Sequence, residues 1–325
     1  MKRGLIIGKF YPLHVGHLGL IKFAQSRCDE LLILICVSDK ESISGEIRKK
    51  WISESFLSSL KLNPVIVNYN ESDLPNTSIS STEVSKIWAS YIKKNFDPFD
   101  FVFSSEPYGY FLAEELNCVH VEYDIGRINE NISASRIREN PFVNWDYISD
   151  SAKPFYVKKI CLYGTESTGK STLAERLATY YETVFVPEMA REIIETTKKV
   201  EEKHLHQIAE LHARRINDSI RKANKLLFVD TDVNITKSYS KFLFNKELNV
   251  DEWVDKANKF DLYLFLDKDA QYIQDGTRLN KTQRDILNDF HKKELENRNI
   301  PYELISGNWN ERLSKSIEII NRMFF

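Results

Sequence analysis

The sequence lacks the features that would tie it to a membrane, a disulfide framework or a nucleic acid. Its longest apolar run, Leu31 to Val37, falls far short of the roughly 20 residues that span a bilayer. Met1-Lys2-Arg3 opens onto an apolar stretch that meets Lys9 too early to be a signal-peptide core. The four cysteines, Cys28, Cys36, Cys118 and Cys161, are scattered. With no C-x-x-C pair they suggest neither zinc nor disulfides; Cys36, Cys118 and Cys161 lie in apolar runs and read as buried free thiols, which fits a reducing compartment. No H-E-x-x-H occurs. The histidines of the charged stretch Glu201 to Lys225 (His204, His206, His212) therefore read as the solvated face of a long helix. Excess charge of either sign is also missing: Lys plus Arg is 45, Asp plus Glu is 47, and the net charge is −2. That balance leaves no electrostatic footprint for DNA, RNA or an acidic membrane. A soluble, cytoplasmic protein without nucleic-acid or membrane partners is expected, and a homo-oligomer is compatible with this composition.

What the chain does have is enough apolar residues, 42%, to build cores across 325 residues, a length that suits about two domains. The most informative stretch lies near the middle. An apolar, β-branched run, Val157 to Tyr163, is followed by Gly164-Thr165-Glu166-Ser167-Thr168-Gly169-Lys170-Ser171-Thr172 and then by a helical pattern, Leu173 to Tyr180. Strand, glycine loop and helix in that order form the phosphate-binding P-loop. Its glycines let successive N–H groups turn into one concavity, and the helix N-terminus adds partial positive charge. Lys170 brings a charge to the β/γ-phosphates, and the Ser171 hydroxyl suits Mg²⁺. Gly164, Ser167, Gly169, Ser171 and Thr172 are the candidate nucleotide contacts.

Downstream, Thr183 to Val186 reads as a strand delivering Glu188 to its carboxyl end. Leu226 to Asp232 reads as a strand ending in Asp230, a candidate Mg²⁺ holder with Ser171. Asp232 would face the same side if that strand continued. Asp275-Gly276-Thr277-Arg278, with Arg284 close behind, reads as a lid whose arginines close over the transferring phosphoryl group.

The first half alternates short apolar strands with helical patterns. Gly4 to Ile7 is a strand, Leu31 to Val37 is a strand buried on both faces, and Trp51 to Leu60 is a helix. The alternation continues to Val119–Glu122, so both halves are expected to be α/β, each a doubly wound parallel sheet. Ligands of such sheets bind at the carboxyl ends of the strands. The segment leaving the first strand there is Gly8-Lys9-Phe10-Tyr11-Pro12-Leu13-His14-Val15-Gly16-His17. Gly8 and Gly16 allow close backbone approach, Lys9 adds a cation, and His14 and His17 share one side of a helical turn.

That segment resembles the signature of the HxGH nucleotidyltransferase superfamily. Ile132-Ser133-Ala134-Ser135-Arg136-Ile137-Arg138 resembles the same superfamily's ISxTxIR motif, with Ser135 in place of the usual threonine. The resemblance implies transfer of AMP from ATP with release of pyrophosphate. It makes Gly8, Lys9, Phe10, Gly16, Ser133 and Ser135 nucleotide contacts and His14, His17 and Arg138 the groups that stabilise phosphate charge. Three details resemble the nicotinamide-mononucleotide (NMN) adenylyltransferases: Ser104-Ser105-Glu106, Arg48 with Trp51, and Asp124 with Arg127. Arg48 also suits a solvated face and Trp51 the core. Trp88 suits either packing or stacking on a nicotinamide ring.

The second half resembles ribosylnicotinamide kinase, on the P-loop, Pro187-Glu188-x-x-Arg191-Glu192, Asp230-Thr231-Asp232 and Asp275-Gly276-x-Arg278. The whole chain is thus similar to the bifunctional NadR-type proteins of NAD salvage. The expected domains are an adenylyltransferase over 1–141, a linker over 142–156 and a kinase over 157–325. The resemblance implies ATP as co-substrate at both sites and Mg²⁺ as cofactor. It also implies nicotinamide riboside, NMN and NAD as ligands, and Lys170, Glu188, Asp230 and Arg278 as the kinase's catalytic groups. Either Glu188 or Asp230 would accept the proton of the attacking hydroxyl. The helix-turn-helix that many NadR-type proteins carry is expected to be missing. Two rivals stand beside this reading. One is a coenzyme A synthase-like fusion, whose motif usually begins T-x-G-H. The other is a nucleotide-sensing regulator with inactive sites.

Overall fold

A computed structural model describes residues 1–57, 59, 61–75, 81–126, 131–190, 193, 200–269 and 281–325. Arg278 and its neighbours Asp275, Gly276 and Thr277 lie outside them, as do Arg127, Arg191 and Glu192. The chain divides into two compact units, Met1–Phe155 and Tyr156–Phe325.

The first unit is a five-stranded parallel sheet in the order β3-β2-β1-β4-β5. The strands are β1 (Arg3–Gly8), β2 (Glu30–Ser38), β3 (Leu62–Tyr69), β4 (Phe101–Ser104) and β5 (Val119–Glu122). Strand order reverses beside β1, which leaves a crevice at its carboxyl end, where Gly8 hands over to the histidine segment. Leu31, Ile33, Leu34 and Ile35 of β2 are completely buried, as a strand covered on both faces requires. Helix α1 (Val15–Gln25) carries the second histidine. Helix α2 spans Gly45–Ser55, so it starts and ends earlier than the expected Trp51–Leu60. Ser44 explains the early start, because its hydroxyl accepts from the Ile47 N–H and caps the helix. Helices α3 (Thr82–Asn95) and α4 (Tyr108–Leu116) pack on the sheet, and α5 is the short Ala134–Glu139. Trp88 belongs to the core: its ring meets Tyr69 edge-on at 5.2 Å and its N–H donates to the Pro75 carbonyl.

The stretch expected as a linker packs on this unit. Ile148 bridges to His14, the Ser149 N–H donates to the Leu13 carbonyl, and Phe155 lies edge-on to Trp51. A single helical turn, α6 (Lys153–Tyr156), closes it.

The second unit is another parallel sheet, in the order β10-β9-β6-β8-β7. Its strands are β6 (Lys158–Tyr163), β7 (Phe185–Val186), β8 (Leu226–Asp230), β9 (Leu262–Leu266) and β10 (Glu303–Ile305). Strand β6 is central, and the P-loop leaves its carboxyl end into α7 (Lys170–Tyr180). Among the described residues the unit also has the helices α8 (Glu202–Ser219), α9 (Val233–Phe244), α10 (Glu252–Ala257), α11 (Lys281–Asn297) and α12 (Trp309–Phe324).

Helix α8 corrects the expectation for its histidines. His204 and His212 are buried in line with Leu205, Ile208, Ala209 and Ala213, and the His204 ring accepts from the Glu201 N–H to cap the helix. Spacings of four and eight put them on the packed face. Burial outweighs a hydrogen bond to the Asp230 backbone and pushes His212 down to about 4. On α11, burial and then the nearby Lys170 push His291 down to about 3. Between pH 6.5 and these values the unfolded chain takes up protons that the fold excludes. Stability contributed by the two neutral imidazoles is therefore complete above about pH 6.5 and falls as the pH drops. The full effect is about 3 kcal/mol for His212 and about 5 kcal/mol for His291. Thermal melts between pH 7 and 4 should show a falling midpoint for the second unit, and His212→Leu should flatten that slope.

Candidate functional site

In the first unit the histidine segment folds back over the end of β1. His14 sits at the N-cap of α1 in extended conformation, and one turn on His17 stacks against it with ring centroids 3.8 Å apart. Phe10 is fully buried, its backbone turning at φ 49, and tilts against His17 at 4.9 Å. The imidazole pair is thereby pinned by packing rather than by sequence spacing alone.

The second motif reaches the same place. Arg138 on α5 donates to the Tyr11 carbonyl at 2.6 Å and to the Ser135 hydroxyl at 3.0 Å, contacts made across 127 residues in the first case. Its guanidinium also lies 4.9 Å from the Tyr11 ring. Ser133 caps α5, its hydroxyl accepting from the Arg136 N–H. The two motifs thus meet at Tyr11.

Beneath Tyr11 lies Arg48, for which the sequence left a solvated face open beside the resemblance. Arg48 is completely buried, not solvated. Its guanidinium stacks 4.4 Å from the Tyr11 ring and donates to the carbonyls of Ile43 and Lys9. Glu41 closes the charge balance, with one carboxylate oxygen 2.7 Å from Arg48 and the other 2.7 Å from Lys9. Burial opposes the Glu41 charge, but hydrogen bonds from Lys9 and Arg48 hold its carboxyl below the usual carboxylate range. Glu41 therefore stabilises the fold above its ordinary pKa, and that contribution is lost as the pH falls through the lowered value. Glu41→Ala would strand Arg48 in the interior, a change that costs about 3–5 kcal/mol when one partner of a buried pair is removed. Urea denaturation of the variant should show a loss of that size.

At the end of β4, Ser104 is buried, donating to the Glu106 carbonyl and bonding the His120 ring, while the Tyr108 hydroxyl holds the Ile7 carbonyl at 2.6 Å. This stretch shapes the crevice wall next to β1.

In the second unit the P-loop takes positive φ at Gly164, Ser167 and Gly169. A side chain at Gly164 would press within 2.8 Å of the Leu266 carbonyl, so glycine is required there for space as well as conformation. The Lys170 ammonium curls back to the Thr165 carbonyl at 2.9 Å, which holds it inside the concavity. The Ser171 hydroxyl donates to the fully buried carboxylate of Asp230 at 2.5 Å. A hydroxyl beside a buried carboxylate is the hard, all-oxygen pair that suits Mg²⁺.

Asp232 does not join it. Strand β8 ends at Asp230, Thr231 turns the chain at φ 70, and Asp232 caps α9 by accepting from the Asn234 and Ile235 N–H groups. Buried there, it is pushed up to about 6. Glu188 lies just past β7. Because Val186 pairs with Val229, Glu188 and Asp230 occupy the same end of the sheet. Arg284, on α11, is brought to the loop: its Nε donates to the Glu166 carbonyl at 2.9 Å.

Two further loop supports escaped sequence reasoning. Tyr239 donates to the Glu166 carboxylate at 2.5 Å. Arg312 is almost fully buried behind the loop, donating to the carbonyls of Thr168, Gly307 and Asp267 and pairing with Asp269. A lone arginine in an amphipathic helix carries no signal of such a role.

A family model described as an AAA domain matches residues 159–312. A protein of Salmonella typhimurium named trifunctional NAD biosynthesis/regulator protein NadR is 29% identical over 98% of this chain and 83% of its own length. The chain is NadR-like. The likeness of this NadR-like chain extends to the fold. The NadR protein solved in complex with NR aligns with a TM-score of 0.77 and 20% identity, covering 100% of this chain and 96% of that one. A NadR structure with NAD and AMP-PNP aligns at 0.73 and 20%, covering 99% and 95%. About half of this chain is similar to a nicotinamide-nucleotide adenylyltransferase of Saccharolobus solfataricus, 28% identical over 48% of this chain and 88% of the relative.

Proposed function

We propose that this chain makes NAD from nicotinamide riboside in two ATP-dependent steps, one on each unit. The observation that carries the reading is the pairing of two phosphate-handling constellations in one NadR-like chain. Arg138 meets the histidine segment at Tyr11 in the first unit, and Ser171 meets Asp230 in the second.

The second unit phosphorylates the riboside. The riboside 5′-oxygen attacks the γ-phosphorus of ATP, and ADP leaves. Glu188 takes the hydroxyl proton, since Asp230 is engaged by Ser171. Lys170 and Arg284 lie against the phosphates, and Arg278, outside the described residues, is assigned the same role from its place in the sequence motif alone. Ser171 and Asp230 would hold Mg²⁺, which when bound neutralises phosphate charge. The first unit then adenylylates the product. An oxygen of the NMN phosphate attacks the α-phosphorus of a second ATP, NAD forms and pyrophosphate leaves. No protein nucleophile is needed. His14, His17 and Arg138 donate to the phosphates, while Lys9, Ser133 and Ser135 position them, so that catalysis is positioning and electrostatics. We place the enzyme in the cytoplasm, where its four free thiols stay reduced.

The test separates the half-reactions. Riboside plus ATP should yield ADP and NMN, and NMN plus ATP should yield NAD and pyrophosphate. ATP binding with neither product formed would favour a sensor instead.

A further inference from the structure

The P-loop accounts for the phosphates of the kinase nucleotide but leaves its base unplaced. Trp309, the first residue of α12, is 44% exposed, although its backbone is firmly fixed. Asn308 before it and Glu311 after it form a reciprocal capping box, and Arg176 of α7 donates to the Trp309 carbonyl and the Asn310 side chain. The indole itself lies against the phosphate loop: a Cβ built on Gly169 would fall 2.3 Å from its Cη2 atom. The Arg312 guanidinium is 5.9 Å from the ring centroid. An aromatic platform is thus held rigidly at the loop with much of its surface open.

The sheet order says which end of the reaction this platform serves. Strand β10 and the Trp309 segment after it lie at one edge of β10-β9-β6-β8-β7, whereas β7 and Glu188 lie at the other. The acceptor therefore belongs on the β8–β7 side and the donor nucleoside on the β9–β10 side. A nucleotide whose β- and γ-phosphates sit at Lys170 has its α-phosphate at the start of α7, because the loop N–H groups cradle the α/β-phosphates. Its base then extends along the first turns of α7, the flank that Arg176 ties to Trp309.

We propose that Trp309 is the stacking platform for the purine base of the kinase's nucleoside triphosphate, and that it sets a preference for purine over pyrimidine donors. The proposal rests on the reading of the second unit as an ATP-dependent kinase. Base–aromatic stacking is sequence-tolerant and strong enough to shift affinity about tenfold. The larger purine face overlaps an indole better than a pyrimidine does.

ADP formation from nicotinamide riboside reports the second unit of the full-length protein alone, because the first releases pyrophosphate. Trp309→Leu should raise the KM for ATP about tenfold and narrow the ratio of kcat/KM for ATP over CTP. The inhibition constant of inorganic triphosphate, which has phosphates but no base, should not move. Trp309→Phe, keeping a smaller ring, should fall between. Equal losses for ATP and triphosphate would mean that Trp309 merely braces Gly169 and would overturn the proposal, as would an unaltered ATP/CTP ratio. If riboside yields no ADP with the unsubstituted protein while triphosphate still binds, the kinase reading fails and the proposal with it.

Discussion

Lys170→Ala should lower riboside phosphorylation by about a thousandfold while leaving NMN adenylylation at its original rate. The size follows from where the ammonium sits. Lys170 is only 8% exposed and is the first residue of α7, directly after Gly169 at its N-cap. A cation placed there beforehand meets the charge that moves to the β/γ bridge as ADP leaves. In a water-poor site such a donor contributes about 10²–10³ in rate, and more where it bears a full charge. Alanine also removes the bond to the Thr165 carbonyl, so the loop loses one internal brace. Lys170→Met keeps the side-chain volume but, like alanine, cannot donate to the Thr165 carbonyl, so phosphorylation should stay lost while only the packing share of any drop in the melting midpoint recovers. ADP formation from riboside and pyrophosphate formation from NMN, measured on the same preparation, decide it. Loss of both reactions in a folded variant would sink the two-site scheme.

His17→Ala should do the reverse, cutting NMN adenylylation by about a hundredfold or more and sparing riboside phosphorylation. His17 is held between Phe10 and His14, with ring centroids at 4.9 and 3.8 Å, so its orientation is set before ATP arrives. Removing it takes away a pre-aligned donor and also the ring on which His14 stacks. The loss should therefore exceed that of an isolated hydrogen bond, and it should appear mainly in kcat. His17→Asn supplies a shorter donor without the stack and should recover only part of the rate. A variant that loses NMN affinity with unchanged kcat would instead make His17 a substrate-binding group.

The motifs were legible because the physics that makes them is local. Glycines at Gly164 and Gly169, followed at once by Lys170 and Ser171, encode a turn and a helix start whatever packs around them. Gly8 to His17 is equally self-contained. Their supports were not legible, for they come from far along the chain. Arg312 reaches the Thr168 carbonyl over 144 residues, and Tyr239 reaches Glu166 over 73. Each looks ordinary in its own helix.

By itself the sequence determined that two α/β halves each carry a phosphate-handling loop at a strand's carboxyl end. Alternating apolar runs and glycine turns suffice for that. Only the tertiary structure decided the fate of the charged and polar residues. Arg48 went inside because Glu41 and several carbonyls surround it, while His204 and His212 fell on the packed face of their helix. Asp230 faces the loop and Asp232 does not, because one residue at positive φ turns the chain between them. Burying a charge is tolerable only when remote elements supply its partners, so local pattern cannot foresee it.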